Sequence, residues 1–244
     1  MLKEIEVTSI EAYLKIIKES KVNHSEQTHA VDFLFRGQTL DHPLIPKICR
    51  LEAKGDLLET EKLLLQEFKR TNPLLIEQHR PLDDWDYLTL GQHFGLPTRL
   101  LDWSNNALTA LWFATTENQG RHEEREWPYA VVWILMAEAR DFSLKITEVA
   151  PFDVKETKIF RPRIIKQRIN NQSGVFSIHS TDEMLQMRYM NEIDSFAKKL
   201  IKLKIPASHV REIRTDLDTL GVNAFTIFPE LEGLCNYLQW RYFE

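Results

Sequence analysis

The sequence predicts an α+β protein, a mixed β-sheet core with surrounding helices, in one domain covering residues 1–244. Three observations predict it. Short β-prone runs, above all Val31–Phe35 and Tyr129–Met136, are interspersed with stretches whose apolar residues recur at helical spacing. A chain of 244 residues that is 43% hydrophobic and 27% charged has enough apolar surface for a sizeable core. No internal repeat, low-complexity tract or long linker divides it.

Thr8, Ser9 and Glu11 precede Ala12, Tyr13, Ile16 and Ile17, which predicts a capped amphipathic helix. Val31–Phe35 follows as a short strand, with Arg36 at its end. Leu57 to Thr71 has helical periodicity and stops at Asn72-Pro73. A further helix, Trp85 to Phe94, is broken by Gly95-Leu96-Pro97, and this turn delivers Thr98 and Arg99 to a new element. Asp102 to Asn106 reads as the entry to a mostly buried helix carrying Ala107, Leu108, Leu111 and Trp112, with Ser104 or Asn105 as its cap. After an exposed polar loop, Glu117 to Glu126, the nearly continuous apolar run Tyr129–Met136 predicts a strand central to the sheet. Ile164–Arg168 and Val175–His179 fit two strands around a turn at Asn170–Gly174. In Phe196–Ile205 the alternation of Ile201, Leu203 and Ile205 with lysines suggests a terminal strand, Val210–Leu220 ends at Gly221, and Leu231–Tyr242 forms a last helix.

Composition excludes several classes of function. No stretch approaches the roughly 18 uninterrupted apolar residues of a membrane helix, and Met1 to Glu11 lacks the pattern of a secretory signal, so a cytoplasmic protein without a membrane partner is expected. Cys49 and Cys235 stand apart with no ligand pattern around them, and the histidines are not at metal-binding spacing, so neither a disulfide framework nor a metal site is expected. A net charge of -5 argues against broad electrostatic capture of nucleic acid. The run Arg161, Arg163, Lys166 and Arg168 keeps a local basic pocket open, beside the plainer reading of a solvated face.

Three places combine polar groups with tight backbone punctuation: Phe35–Gln38, Gly91–Trp103 and Asn170–Phe176. Arg36 beside Gly37 suits a phosphate or ribose hydroxyl, since guanidinium offers fixed donors and glycine lets a ligand approach the backbone. An Arg36 that merely caps carbonyls or pairs with a carboxylate fits equally well. His93, Thr98, Arg99 and Asp102 interrupt an apolar run and need partners if buried. Arg99 and Asp102 can satisfy each other as structural support, and His93 can be a satisfied core histidine.

Phe35-Arg36-Gly37-Gln38, the block Gln92 to Trp103 with Ala110-Leu111-Trp112-Phe113-Ala114 after it, and Gln172-Ser173-Gly174-Val175-Phe176 resemble the hallmarks of the FRG-domain family. Leu220-Gly221-Val222 and Phe228 to Leu234 resemble its closing pattern, so the likeness spans residues 9 to 238. A more distant resemblance, to ADP-ribosyltransferases, implies a sheet of that type and NAD as co-substrate, in a bacterial toxin or defence setting. It implies that Arg36, Gly37, Gln38 and Thr98 hold NAD, that His93 and Thr98 shape the nicotinamide side, and that Gln172 stands where those enzymes carry a catalytic glutamate. Glutamine orients a hydroxyl but supplies no negative charge. The resemblance therefore leaves three outcomes: another acid, Glu156, Asp182 or Glu183, enters the site; transfer is weak; or the protein only senses a nucleotide or binds a partner. The acceptor of ADP-ribose is a protein or a nucleic acid in this reading.

Overall fold

In chain order the elements are β1 (Lys3–Glu6), α1 (Ile10–Ser25), β2 (Val31–Gln38), α2 (Leu57–Thr71), α3 (Asp84–His93), β3 (Leu100–Ser104), α4 (Ala107–Thr115), β4 (Tyr129–Glu138), β5 (Lys158–Phe160), β6 (Gly174–Ile178), α5 (Thr181–Leu185), α6 (Asp194–Ala197), β7 (Leu200–Pro206), α7 (Ala207–Thr219), α8 (Ala224–Ile227) and α9 (Leu231–Phe243). The computed structural model describes residues 2–25, 31–71, 81–116, 128–143, 148–163 and 174–243. The expected strand Ile164–Arg168, the loop Glu117 to Glu126 and Gln172 lie outside the described residues. Among the described residues no helix is long and apolar enough to cross a membrane.

The fold is α+β. Among the described residues seven strands run in the order β1-β7-β4-β2-β3-β6-β5, with β1 parallel to β7 and the other neighbours antiparallel. β4 is interior, between β7 and β2, and both of its faces are covered, which is why its sequence is continuously apolar. Ala130, Val132 and Ile134 enter one core with Phe35, Leu203, Ala110, Leu111 and Tyr13. Val131, Trp133 and Leu135 enter a second core with Leu34, Leu101, Trp103 and Phe196. Two neighbours in β2, Leu34 and Phe35, thus point to opposite faces, as strand alternation requires. In β7 the lysines between the apolar residues find acids, Lys202 at 2.7 Å from Asp41 and Lys204 at 3.1 Å from Glu4.

Three expectations change, and two short strands are added. β2 continues to Gln38, so Arg36 sits inside a strand instead of at its end. Asp102 to Ser104 belong to β3, and the cap of α4 is Asn106, whose side chain accepts from the backbone N–H groups of Leu108 and Thr109. Pairing with β6 along the whole of Leu100–Ser104 holds that segment extended against its local turn chemistry. β1 and β5 are strands of four and three residues, too short to show a periodicity in the sequence.

Candidate functional site

The site begins where β2 and β3 part. The two strands share the pair Phe35–Ser104, whereas β2 and β4 pair along all eight residues of β2. One residue past that pair, Arg36 bridges the widening gap. Its Nη1 donates to the backbone carbonyl of Asp102 at 2.8 Å and lies 3.5 Å from Asp102 Oδ2. The Arg36 side chain is 14% exposed and that of Asp102 54%, so a nearly covered guanidinium meets a carboxylate open to solvent. Burial draws the Arg36 pKa below the usual arginine range, Asp102 opposes that shift, and the nearby positive charge of Arg50 adds to it.

A hydrogen-bonded chain carries this geometry into the turn before β3. Gln92 Nε2 donates to Asp102 Oδ2 at 2.8 Å, Thr98 Oγ1 donates to Gln92 Oε1 at 2.7 Å, and the Leu100 N–H donates to Thr98 Oγ1 at 3.2 Å. The local sequence explains the turn. α3 starts in a capping box between Asp83 and Asp86 and ends at Phe94, and Gly95 then takes φ +88°, which favours glycine. Lys47 steadies the turn by donating to the Gly95 carbonyl at 3.0 Å.

The expected site residues fall into separate groups. Arg36, Thr98 and Asp102 come together, joined through Gln92. Thr98 is buried and uses its hydroxyl within this chain, which makes it a support of the site's edge. Gly37 faces α4: a Cβ there would lie 1.9 Å from the Ala110 carbonyl oxygen and 2.7 Å from the Ala114 nitrogen, so the glycine serves close strand–helix packing. Gln38 is buried, and its Oε1 accepts from Trp133 Nε1 at 2.7 Å. His93 closes the last turn of α3, half-buried, with its ring edge-on to Phe94 at 5.2 Å. Gln172 lies outside the described residues.

Arg99 and Asp102 do not pair. Arg99 bonds Glu61 of α2, with Nε at 2.9 Å from Oε1 and Nη2 at 2.5 Å from Oε2, and both side chains are nearly inaccessible to solvent. Its Nη1 also approaches the Pro151 carbonyl and Thr181 Oγ1 at 3.4 Å, and the guanidinium lies 4.9 Å from the centre of the Phe152 ring. Arg99 therefore ties α2 and α5 to the start of β3, while Asp102 belongs to the Arg36 edge.

His179, just past β6, is fully buried, and neither ring nitrogen has a hydrogen-bond partner among the described residues. Burial lowers its pKa to about 4; Glu183 opposes the shift, and the charges of Arg99 and Arg36 reinforce it. A neutral imidazole thus lies within electrostatic reach of both arginines.

None of the alternative acids bonds Arg36. Glu183 accepts from Thr157 Oγ1 at 2.6 Å and Ser180 Oγ at 2.8 Å; burial raises its pKa, and these bonds bring the balance below the ordinary value. Asp182 is exposed in the first turn of α5. Glu156 pairs with Lys158 at 2.8 Å in a cleft of about 650 Å³ that Val31, Met136, Asp141 and Lys199 also line. That cleft lies at the Val31 end of β2, about 17 Å along the strand from Arg36. In the basic run, Arg161 pairs with Asp32 at 2.9 Å and Arg163 with Asp83 and Asp86, while Lys166 and Arg168 lie outside the described residues.

Sequence reasoning missed Gln92, Glu61, Arg50 and His179. Glu61 left a trace, an acid in line with Leu58 and Leu65 on the apolar stripe of α2. Arg50 and His179 left none, because only the tertiary structure sets them near Arg36.

No curated protein and no solved structure matches this chain. The segment that supplies Arg36, Gln92, Thr98 and Asp102, residues 31–123, matches the family model described as the FRG domain.

Proposed function

We propose that the edge formed by Arg36, Gln92 and Asp102 binds the phosphates and ribose of NAD, and that the protein cleaves NAD or transfers its ADP-ribose. The observation that carries this reading is the placement of a nearly covered arginine, with a second cation, Arg50, in electrostatic range, against an exposed carboxylate. A bound phosphate would offset both positive charges in a position where water solvates Arg36 poorly. NAD brings a ribosyl–nicotinamide bond whose cleavage leaves positive charge on the ribose. Asp102, held by Gln92 and by Arg36, is the carboxylate best placed to face that charge. It offers what Gln172 lacks. Thr98 and His93 shape the rim from the turn and the end of α3 in this reading, and Gln172 orients the ribose. The ADP-ribosyltransferase type of the sheet, a toxin or defence setting, and a protein or nucleic-acid acceptor belong to the same proposal.

A second reading is a module that senses a nucleotide or binds a partner without turnover. The two hydrogen bonds already made to Asp102 favour it, since they spread the charge the reaction would use. Nucleic-acid binding through the basic run is weaker, because Arg161 and Arg163 are matched by acids.

Incubation with NAD, with free nicotinamide and ADP-ribosylated products quantified, separates these readings. Release that disappears in Arg36→Ala and Asp102→Asn supports the enzyme. Calorimetric binding of NAD or ADP-ribose without release supports the sensor. Neither binding nor release at millimolar NAD would end the proposal.

A further inference from the structure

A short 3-10 helix, Lys47–Arg50, stands beside the edge formed by Arg36, Gln92 and Asp102. Side chains three residues apart eclipse one another in such a helix, so Lys47 and Arg50 share a face. Ile48 and Cys49 are buried with Ile45 and Met184 in a core of their own, which fixes the rotation of the helix. The shared face turns to the loop after α3, because Lys47 Nζ donates to the Gly95 carbonyl there at 3.0 Å. That loop follows Gln92, the residue that holds Asp102. Arg50 comes to the edge one turn further along the helix, and its charge acts on Arg36. The protein satisfies neither arginine. Arg50 is exposed and makes no hydrogen bond or ion pair among the described residues. Arg36 commits Nη1 to Asp102, while its Nε is buried without a partner and its Nη2 bonds no described residue. Glu61, which acts on the neighbouring Cys49, is already bound by Arg99. The positive charges of Arg36, Arg50 and Lys47 thus face the carboxylate of Asp102, an excess that an anion would offset.

We propose that Arg50 is a second anchor for a diphosphate ester, bonding one phosphate while the Nη2 of Arg36 bonds the other. The anchor rests on the nucleotide reading of this edge and adds the residue that selects a diphosphate over a monophosphate. The two guanidiniums come from different walls, Arg36 from β2 and Arg50 from the 3-10 helix. Arg36 is pinned at the Asp102 carbonyl, and the 3-10 helix is pinned at the Gly95 carbonyl. Two linked phosphates meet both cations, each with the paired, planar donors that suit phosphate oxygens. A lone phosphate engages one of them fully and leaves the other to water.

Isothermal titration with AMP, ADP and ADP-ribose at one fixed salt concentration tests the proposal. AMP and ADP-ribose carry nearly the same charge at neutral pH, so comparing them separates the second phosphate from bulk attraction. The wild type should bind ADP and ADP-ribose at least roughly tenfold more tightly than AMP. Arg50→Ala should bring all three to within about twofold of one another. Its unfolding midpoint should not change, because Arg50 is exposed and unpaired. If Arg50→Ala proves unstable, Arg50→Gln makes the same comparison with a longer uncharged side chain. A wild type that binds AMP as tightly as ADP-ribose, or an Arg50→Ala that keeps the preference for diphosphates, overturns the proposal. Nicotinamide release by the same two proteins separates this anchor from the NAD reading. Release with a KM for NAD that Arg50→Ala leaves unchanged removes the anchor alone. A preference for diphosphates without any release removes NAD cleavage and leaves the anchor standing. Binding of none of the three compounds removes both.

Discussion

Arg36 and Asp102 differ in what each can lose. Arg36→Lys keeps a positive charge but not the planar set of donors that reaches the Asp102 carbonyl and a phosphate together. Its affinity for NAD or ADP-ribose should fall at least roughly tenfold, with little change in unfolding midpoint. Isothermal titration beside a thermal melt reads both; unaltered affinity would confine Arg36 to bridging β2 and β3. Asp102 is more than half exposed, so its pairing with Arg36 is worth no more than about 1 kcal/mol. Asp102→Asn should keep its stability and its bond partner Gln92 but lose nicotinamide release. A large loss of stability in this variant would instead make Asp102 structural.

At the scale of elements, two contacts set the position of the site. α4 sits so close to β2 that Gly37 has no room for a side chain. Gly37→Ala should cost about 3 kcal/mol or displace α4, because the atoms a Cβ would meet are backbone. Urea unfolding should show this without any ligand, and a variant as stable as the wild type would contradict the packing. Glu61 and Arg99 tie α2 to β3. Glu61→Gln leaves a buried guanidinium short of its counter-charge and should cost about 3 to 5 kcal/mol. The double change Glu61→Leu with Arg99→Met should recover much of that loss if the pair serves structure alone. Failure of the double variant to recover, measured by the same unfolding, would point to a need for the charges themselves.

For the whole molecule, His179 couples stability to pH. Its folded pKa, about 4, lies below the ordinary 6.5, so between these values the unfolded chain binds a proton that the folded chain does not. Its effect is absent above about pH 6.5 and grows as pH falls, reaching roughly 3 kcal/mol lost near pH 4. Urea midpoints compared at pH 7.5, 6 and 5 for wild type and His179→Gln should diverge in this direction. Parallel slopes for the two proteins would show that His179 is not the group responsible.

The α+β class, the helix Leu57 to Thr71, the apolar strand from Tyr129 and the polar block from Gln92 to Asp102 were legible in the sequence, because each depends on local periodicity or on turn residues. The partners of the polar residues were not. Arg99 and Asp102 are three apart, and sequence proximity suggested a pair, yet an odd separation along an extended chain turns them to opposite faces. Arg99 then meets Glu61, 38 positions away, and Asp102 meets Arg36, 66 positions away. The purpose of Gly37 was hidden for the same reason: a missing Cβ reads alike whether a ligand or a helix fills the space. Composition and periodicity determined the longer helices and the apolar strands, whereas strand pairing decided the extended state of Asp102 to Ser104 and which charges face each other, because burial pairs groups by distance in space and not along the chain.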